Sequence, residues 1–301
     1  MISGGVNSSL YTEFDQEIDN LIYTTKVLFV VAAGNNSGNV YSPGKAYNAI
    51  TVGNAETKSN YATAITGNFD IADDSSYLVN SYLSNKPEIV APGVAIGSIL
   101  NSGGTDVLFV GSGTSASAPH VTGMLAQLVE KYESTINDNN YITYFKGRLM
   151  LGANSSKVND SSHRTGDGSI FYNEQGAGFV DAVNSASTIY GWNNRIKLGL
   201  LDLNYYVNIT LTSSSDYDIR AVLIFEKPEN VILTSNYGNN LDLYLEDVNN
   251  QTIVSSTSTT NIHEILEGTI PANQGARLRV HRASYISSGS YMSFSCFWMY
   301  I

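Results

Sequence analysis

Two hydrophobic periodicities divide this chain. Up to about residue 188, short continuous apolar runs alternate with stretches whose apolar residues recur every three or four positions; beyond about residue 195 the period becomes two. Runs at 27–33, 49–53, 88–91 and 107–110 predict strands covered on both faces, as in a parallel sheet. Between them, Leu10, Phe14, Ile18, Leu21 and Ile22 predict a helix of about four turns, with Asn7, Ser8 and Ser9 as N-cap candidates. Further helices are expected after Ser115, over 141–153 and over 180–187. Strand and helix in alternation give an α/β fold with a parallel sheet and flanking helices. The polar stretch 55–86 shows no sustained period and reads as surface loops.

In the second part, Leu241-Asp242-Leu243-Tyr244-Leu245-Glu246 sets leucines on one side of a strand and polar groups on the other. Similar segments at 205–212, 220–225, 262–266, 277–281 and 291–298 predict an all-β sandwich or jelly roll. The helical pattern stops at Tyr190-Gly191-Trp192-Asn193-Asn194, which gives two domains, 1–190 and 195–301.

Composition narrows the function classes. Against 27 Asp and Glu stand 16 Lys and Arg, a net charge of −11, which argues against nucleic acid and anionic membranes as partners. The single cysteine, Cys296, excludes an intramolecular disulfide. The longest apolar run is strand-sized, well short of a membrane span. No signal peptide is visible, and Met1-Ile2-Ser3-Gly4-Gly5 reads like the end of a core strand entering a turn.

The segment Gly111-Ser112-Gly113-Thr114-Ser115-Ala116-Ser117-Ala118-Pro119-His120-Val121-Thr122-Gly123 concentrates the chemistry. Small residues around Ser115, followed by a helical pattern, describe a hydroxyl on a tight turn at a helix N-terminus. There, unpaired N–H groups favour negative charge developing beside a nucleophile. The residues alone also allow a plain Gly/Ser loop capping a helix.

Gly113-Thr114-Ser115 with the Ser-Ala-Pro-His-Val that follows resembles the nucleophile motif of the subtilisin-like serine proteases, the subtilases. Val30-Val31-Ala32-Ala33-Gly34-Asn35 is similar to the strand that ends in that family's oxyanion-hole Asn. Tyr41-Ser42-Pro43-Gly44-Lys45, Pro87-Glu88-Ile89-Val90-Ala91-Pro92-Gly93 and Gly176-Ala177-Gly178-Phe179-Val180-Asp181-Ala182 resemble further family segments in the same order, the last being the closing turn and helix. Ser3-Gly4-Gly5 resembles the strand lining the substrate cleft. The resemblance implies a partial subtilisin-like catalytic domain. Ser115 would be its nucleophile, and Asn35 together with the Ser115 N–H would bind the oxyanion. Ser3, Gly4, Gly5, Ala33, Gly34 and Thr114 would line the cleft.

The resemblance also implies a triad His and Asp upstream of Asn35, yet the 34 residues before it hold no His. His120 lies five residues after Ser115 on one helix, with its ring expected to turn away and pack. His163 falls in a polar loop, and His263 and His281 lie in the second domain. Asp15 and Asp19 are read as the solvent face of the first helix. The expectation is therefore a serine endopeptidase working as part of a longer subtilase, with this chain inactive alone. Its partners would be a protein or peptide substrate and the missing N-terminal half, and the family places it outside the cell. An alternative is a non-catalytic remnant that binds protein or carbohydrate. No cofactor is required. The run 238–247 resembles the β-sandwich appended to many subtilases, some of which carry calcium; Asp242, Glu246 and Asp247 could be its oxygen ligands, although alternation places them on a solvated face.

Overall fold

The computed structural model describes residues 10–56, 69–78, 83–159, 171–187, 189–197, 204–209, 213–228, 240–284 and 291–301. Its first half contains α1 (Glu13–Thr25), β1 (Val30–Ala32), β2 (Ile50–Glu56), β3 (Phe69–Ile71), β4 (Ile89–Pro92), β5 (Ile96–Ser102), β6 (Thr105–Gly111), α2 (Thr114–Tyr132), α3 (Tyr141–Gly152), β7 (Val158–Asn159) and α4 (Ala182–Ser185). In the second half the described elements are strands: β8 (Tyr190–Lys197), β9 (Asn204–Ile209), β10 (Tyr217–Phe225), β11 (Asn240–Asp247), β12 (Thr252–Ser256), β13 (His263–Ile270), β14 (Ala276–Ser284) and β15 (Tyr291–Tyr300).

β2 is the spine of the first half, parallel to β1 and to β4, with its end paired antiparallel to β3. Three of the four expected buried strands thus form the parallel core, and the fourth does not. Residues 107–110 lie in β6, which among the described residues pairs only with β5 in an exposed antiparallel hairpin, leaving Leu108 76% and Phe109 54% accessible. Ser102-Gly103-Gly104-Thr105 makes its turn, with both glycines at positive φ, and that Gly-Gly pair was a hairpin signal the apolar run outweighed. Among the described residues β1 has a strand neighbour on one side only and is half-buried, so its apolar sequence is not covered on both faces.

α1 starts later than expected. Thr12 is its N-cap, in a reciprocal capping box with Asp15; Asn7, Ser8 and Ser9 lie outside the described residues. Asp15 and Asp19 are fully buried, which corrects the solvent-face reading. Asp15 also accepts from Ser42 at 2.6 Å, while Asp19 accepts the backbone N–H groups of Tyr47 and Asn48 at 3.1 and 2.7 Å and the Tyr11 hydroxyl at 2.7 Å. The stretch read as surface loop also holds buried residues, among them Ser76, Leu78, Leu83 and Lys86; residues 57–68 and 79–82 lie outside the described set.

The second half contains two four-stranded antiparallel sheets, ordered β13-β10-β15-β8 and β12-β11-β14-β9. Their facing side chains, among them Leu223, Phe225, Phe294, Leu243, Leu278 and Val280, share one apolar core. The stretch read as the boundary, 190–194, is strand β8, paired with β15. Alternation missed the acidic groups: Asp242 and Glu246 are 6% and 3% accessible, because neighbouring side chains cover them.

The halves are joined through α3. One side of that helix belongs to the core beneath β2 and β4, while Val222, Ile224, Ile265 and Phe297 of the β-rich half close the same cluster. Gly147 is required there, since a Cβ would stand 2.7 Å from the Phe297 ring. Arg220 of β10 reaches across, donating to the Ala153 and Ala177 carbonyls at 2.6 Å each. Asn48 and Lys227 exchange two hydrogen bonds, 2.9 and 2.7 Å, across the same boundary.

Candidate active site

The N-terminus of α2 is built by three close approaches. Gly113, the N-cap, has φ 132°, and a Cβ on it would lie 2.8 Å from Asn35 Nδ2. Its N–H donates to the Gly93 carbonyl at 2.8 Å, which hangs the helix entrance from the end of β4. Asn35 follows β1 by way of Gly34, whose φ of 112° turns the chain out of the strand toward α2.

Thr114 clamps these pieces together. Its backbone N–H and its hydroxyl donate to Asn35 Oδ1 at 2.9 and 3.0 Å, and its hydroxyl accepts from the Gly34 N–H at 3.1 Å. Two donors on one side of the Asn35 amide fix that atom as the oxygen and leave Nδ2 as the free donor end. The first-turn amides are then accounted for one by one. Thr114 N–H goes to Asn35, while Ala116 and Ser117 N–H go to the Gly113 carbonyl at 2.9 and 3.3 Å. Among the described residues, Ser115 N–H has no partner, and no side chain caps the helix. Pro119 also lacks the N–H that would bind the Ser115 carbonyl.

Ser115 is exposed, and it lines one cavity of about 680 Å³ with Asn35, Ala33, Gly34 and Thr114. Consecutive β1 residues, Tyr41-Ser42-Pro43, and Ala118, Pro119 and Thr122 of α2 complete it, with no charged side chain in the lining. Thus five of the expected site residues meet in one concavity, and Ser3, Gly4 and Gly5 lie outside the described residues.

No candidate base stands in that lining. His120 is exposed rather than packed, with Nδ1 at 2.9 Å from the Ala116 carbonyl of its own helix. His163 lies outside the described residues. His281 bonds Asn204 at 3.0 Å on the outer face of its sheet. His263 is buried against Phe171, ring centroids 4.3 Å apart, and neither ring nitrogen has a hydrogen-bond partner among the described residues. Burial, with Lys146 and Lys86 nearby, holds its pKa down at about 3, so its ring is neutral.

That neighbourhood is a buried charge cluster that sequence reasoning missed. Lys86 and Lys146 both bind Glu88 Oε1, at 2.5 and 2.7 Å, while the Thr51 N–H donates to Oε2 at 2.7 Å. Burial lowers the Lys146 pKa to about 8, and the two ammonium groups hold the Glu88 carboxyl below its ordinary range against its own burial. The cluster ties α3 to the start of β4, and thereby to the Gly93 carbonyl that carries Gly113.

The three carboxylates considered for calcium have other partners. Glu246 binds Arg277 and Arg279, Asp242 accepts from Asn240 and Tyr244, and Asp247 accepts the N–H groups of Asn249 and Gln251. Among the described residues no group of His, Cys, Asp and Glu is arranged to hold a metal, and no helix is long and apolar enough to cross a membrane.

Comparison with known proteins follows the same segment. An alkaline proteinase of Hapsidospora chrysogena is 37% identical over 131 residues, covering 42% of this chain and 27% of that protein. A subtilisin of Bacillus sp. (strain TA39) is 35% identical over 127 residues, covering 39% of this chain and 28% of that protein. This chain therefore spans little more than a quarter of the length of these two relatives. Among solved structures, the prenylagaramide maturation protease PagA aligns with 61% of this chain and 58% of its own at 17% identity, with a TM-score of 0.44. The sequence model of the subtilase family matches residues 3–178, from before β1 to the turn that pairs with β4. A match over more than half of the chain, taking in both the Asn35 strand and the Ser115 helix, makes this chain a member of the subtilase family of serine peptidases.

Proposed function

We propose that this chain is the nucleophile-bearing part of a serine endopeptidase that cleaves peptide bonds through an acyl-enzyme on Ser115. The observation that carries it is the pair of unspent donors, Ser115 N–H and Asn35 Nδ2, at one cavity beside an exposed hydroxyl. Attack on a scissile carbonyl moves negative charge onto the carbonyl oxygen, and two preorganised N–H donors stabilise that charge at little reorganisation cost. The general base and its carboxylate would come from polypeptide outside residues 1–301, docked over the cavity. No metal or cofactor is called for. By family resemblance the parent enzyme works outside the cell.

The second half is proposed to be a β-sandwich domain beginning near residue 190, supported by two four-stranded sheets around a shared core. The test of the catalytic reading is reconstitution: an upstream segment carrying the missing acid and base is co-expressed with this chain, and casein hydrolysis is measured with Ser115 and with Ser115→Ala. Hydrolysis only with Ser115 is expected, and equal rates would sink the reading. A fluorophosphonate probe should leave Ser115 unlabelled in the chain alone and label it once the upstream segment is present.

A further inference from the structure

The outer face of the sheet β12-β11-β14-β9 carries an ordered polar and aromatic lattice that the peptidase reading does not use. Pairing sets Tyr244 beside Arg279 and Arg279 beside Tyr206 in one cross-strand row, and Glu246 beside Arg277 in the next. The inward positions of the same strands, Leu243, Leu245, Leu278 and Val280, fill the core, so the alternate side chains point outward. Glu246 clamps both arginines: Oε2 accepts from Arg277 at 2.8 and 2.6 Å, and Oε1 accepts from Arg279 Nε at 2.6 Å. Each guanidinium lies over a tyrosine ring, Arg279 over Tyr244 at 3.8 Å and Arg277 over Tyr206 at 4.3 Å.

Three properties of this face select a ligand. It is rigid, because rings and guanidinium planes hold one another, so little side-chain entropy remains to be lost on binding. It is close to neutral: two guanidinium cations stand with the carboxylates of Glu246 and Asp242, and Asp242 accepts hydrogen bonds from Asn240 and Tyr244 on the same strand. It also has a spare donor, since Arg277 Nη1 makes no hydrogen bond among the described residues. Tyr206, on the edge strand β9, remains 49% accessible. The two tyrosines stand two strands apart, roughly 10 Å, which is the span of a disaccharide. A polyanion would meet the field of a chain with net charge −11, and a cation would compete with the guanidinium groups for Glu246.

We propose that this face binds an uncharged, hydroxyl-rich polysaccharide, with Tyr206 stacking on a sugar ring and the arginine N–H groups donating to ring hydroxyls. Aromatic stacking takes the C–H face of a sugar, while planar guanidinium groups suit vicinal hydroxyls. This function is independent of Ser115 and of the cavity around it.

The test is affinity electrophoresis of the full chain in native gels cast with xylan, mixed-linkage glucan or galactomannan, and in parallel gels with polygalacturonate or gelatin. Retardation by at least one neutral polysaccharide is expected. Tyr206→Ala should weaken it about tenfold, and Ser115→Ala should leave it unchanged. Arg279→Lys keeps the charge but loses the planar guanidinium and its Nε–H bond to Glu246, and should weaken binding as well. Because Tyr206 is an exposed edge residue, a thermal melt of Tyr206→Ala that matches the parent ties its loss of binding to the face itself. The proposal is overturned if no neutral polysaccharide retards the chain, if retardation survives Tyr206→Ala, if Ser115→Ala abolishes it, or if only polygalacturonate or gelatin is bound.

Discussion

Thr114 donates two hydrogen bonds to one atom of Asn35, from its backbone at 2.9 Å and from its hydroxyl at 3.0 Å. The amide of Asn35 is thereby held with its donor end away from the clamp, an orientation no contact of the strand β1 would impose. In a reconstituted enzyme, Asn35→Ala should lower kcat by about 10²–10³, the magnitude found for loss of the equivalent donor in subtilisin. Thr114→Val keeps the shape and the backbone donor but removes the hydroxyl, and should lower kcat by a smaller factor with KM little changed. Steady-state kinetics on a peptide substrate check both, and an unaltered kcat in Asn35→Ala would rule out its oxyanion role.

In the cluster of Lys86, Lys146 and Glu88, two cations share one carboxylate oxygen. Removing Lys146 leaves a balanced pair, whereas removing the charge of Glu88 leaves two ammonium groups buried without a counter-charge. Glu88→Gln should therefore destabilise by about 3–5 kcal/mol, more than Lys146→Met. Urea unfolding followed by circular dichroism gives the order, and the reverse order would show that Lys146 contributes by some other contact.

His263 makes stability depend on pH. Its folded pKa of about 3 lies below its unfolded value, so between pH 6.5 and 3 the unfolded chain takes up a proton that the folded chain refuses. The loss should amount to about 1.4 kcal/mol for each pH unit through that window. His263→Phe removes this slope while filling the same space against Phe171. Thermal melts of both proteins at pH 7, 6, 5 and 4 should diverge as the pH falls, and parallel curves would locate the acid sensitivity elsewhere.

Asp19 supports the first helix from within. It accepts two backbone N–H groups and the Tyr11 hydroxyl, and its burial raises its own pKa and that of Tyr11. Asp19→Ala strands these donors in a buried site and should cost about 3 kcal/mol or more. Glu17→Ala on the same helix is a control that should cost under about 0.5 kcal/mol. Equal midpoints in urea would show that the network carries no net stability.

Gly147→Ala tests the seam between the halves. The added methyl meets the Phe297 ring, and overpacking of this kind costs about 1–3 kcal/mol. A melt that shifts as one transition would mark the halves as one cooperative unit.

The parts of the site that were legible in the sequence are those whose chemistry is local. Gly113-Thr114-Ser115 and Ala33-Gly34-Asn35 are short segments in which backbone freedom and side-chain type together describe a turn with a polar tip. The strands at 27–33, 49–53 and 88–91 announced themselves by apolar continuity. The run at 107–110 had the same continuity and no cover, because nothing in four residues tells a strand what will pack on it. Asp15 and Asp19 share a helix face with Ile18 and Ile22, and besides the local Thr12 and Tyr11 it is the distant Ser42, Lys45, Tyr47 and Asn48 that make carboxylates tolerable there. Lys86 and Glu88, Lys146, and His263 come from three separated segments, so their meeting had no signature along the chain. Asp242 and Glu246 obeyed the alternation yet became buried, because neighbours on the same face engage them, Asn240 and Tyr244 the first and Arg277 and Arg279 the second.

α3 is covered on both flanks, with ten of its twelve residues buried. A helix without a wet side cannot change partners freely. A relative that exchanged its C-terminal β-rich region for another module would have to rewrite residues such as Gly147 and Phe145 at the same time, and a lineage that lost the region would have to make that helix amphipathic. The two halves of this protein are thus expected to be inherited together.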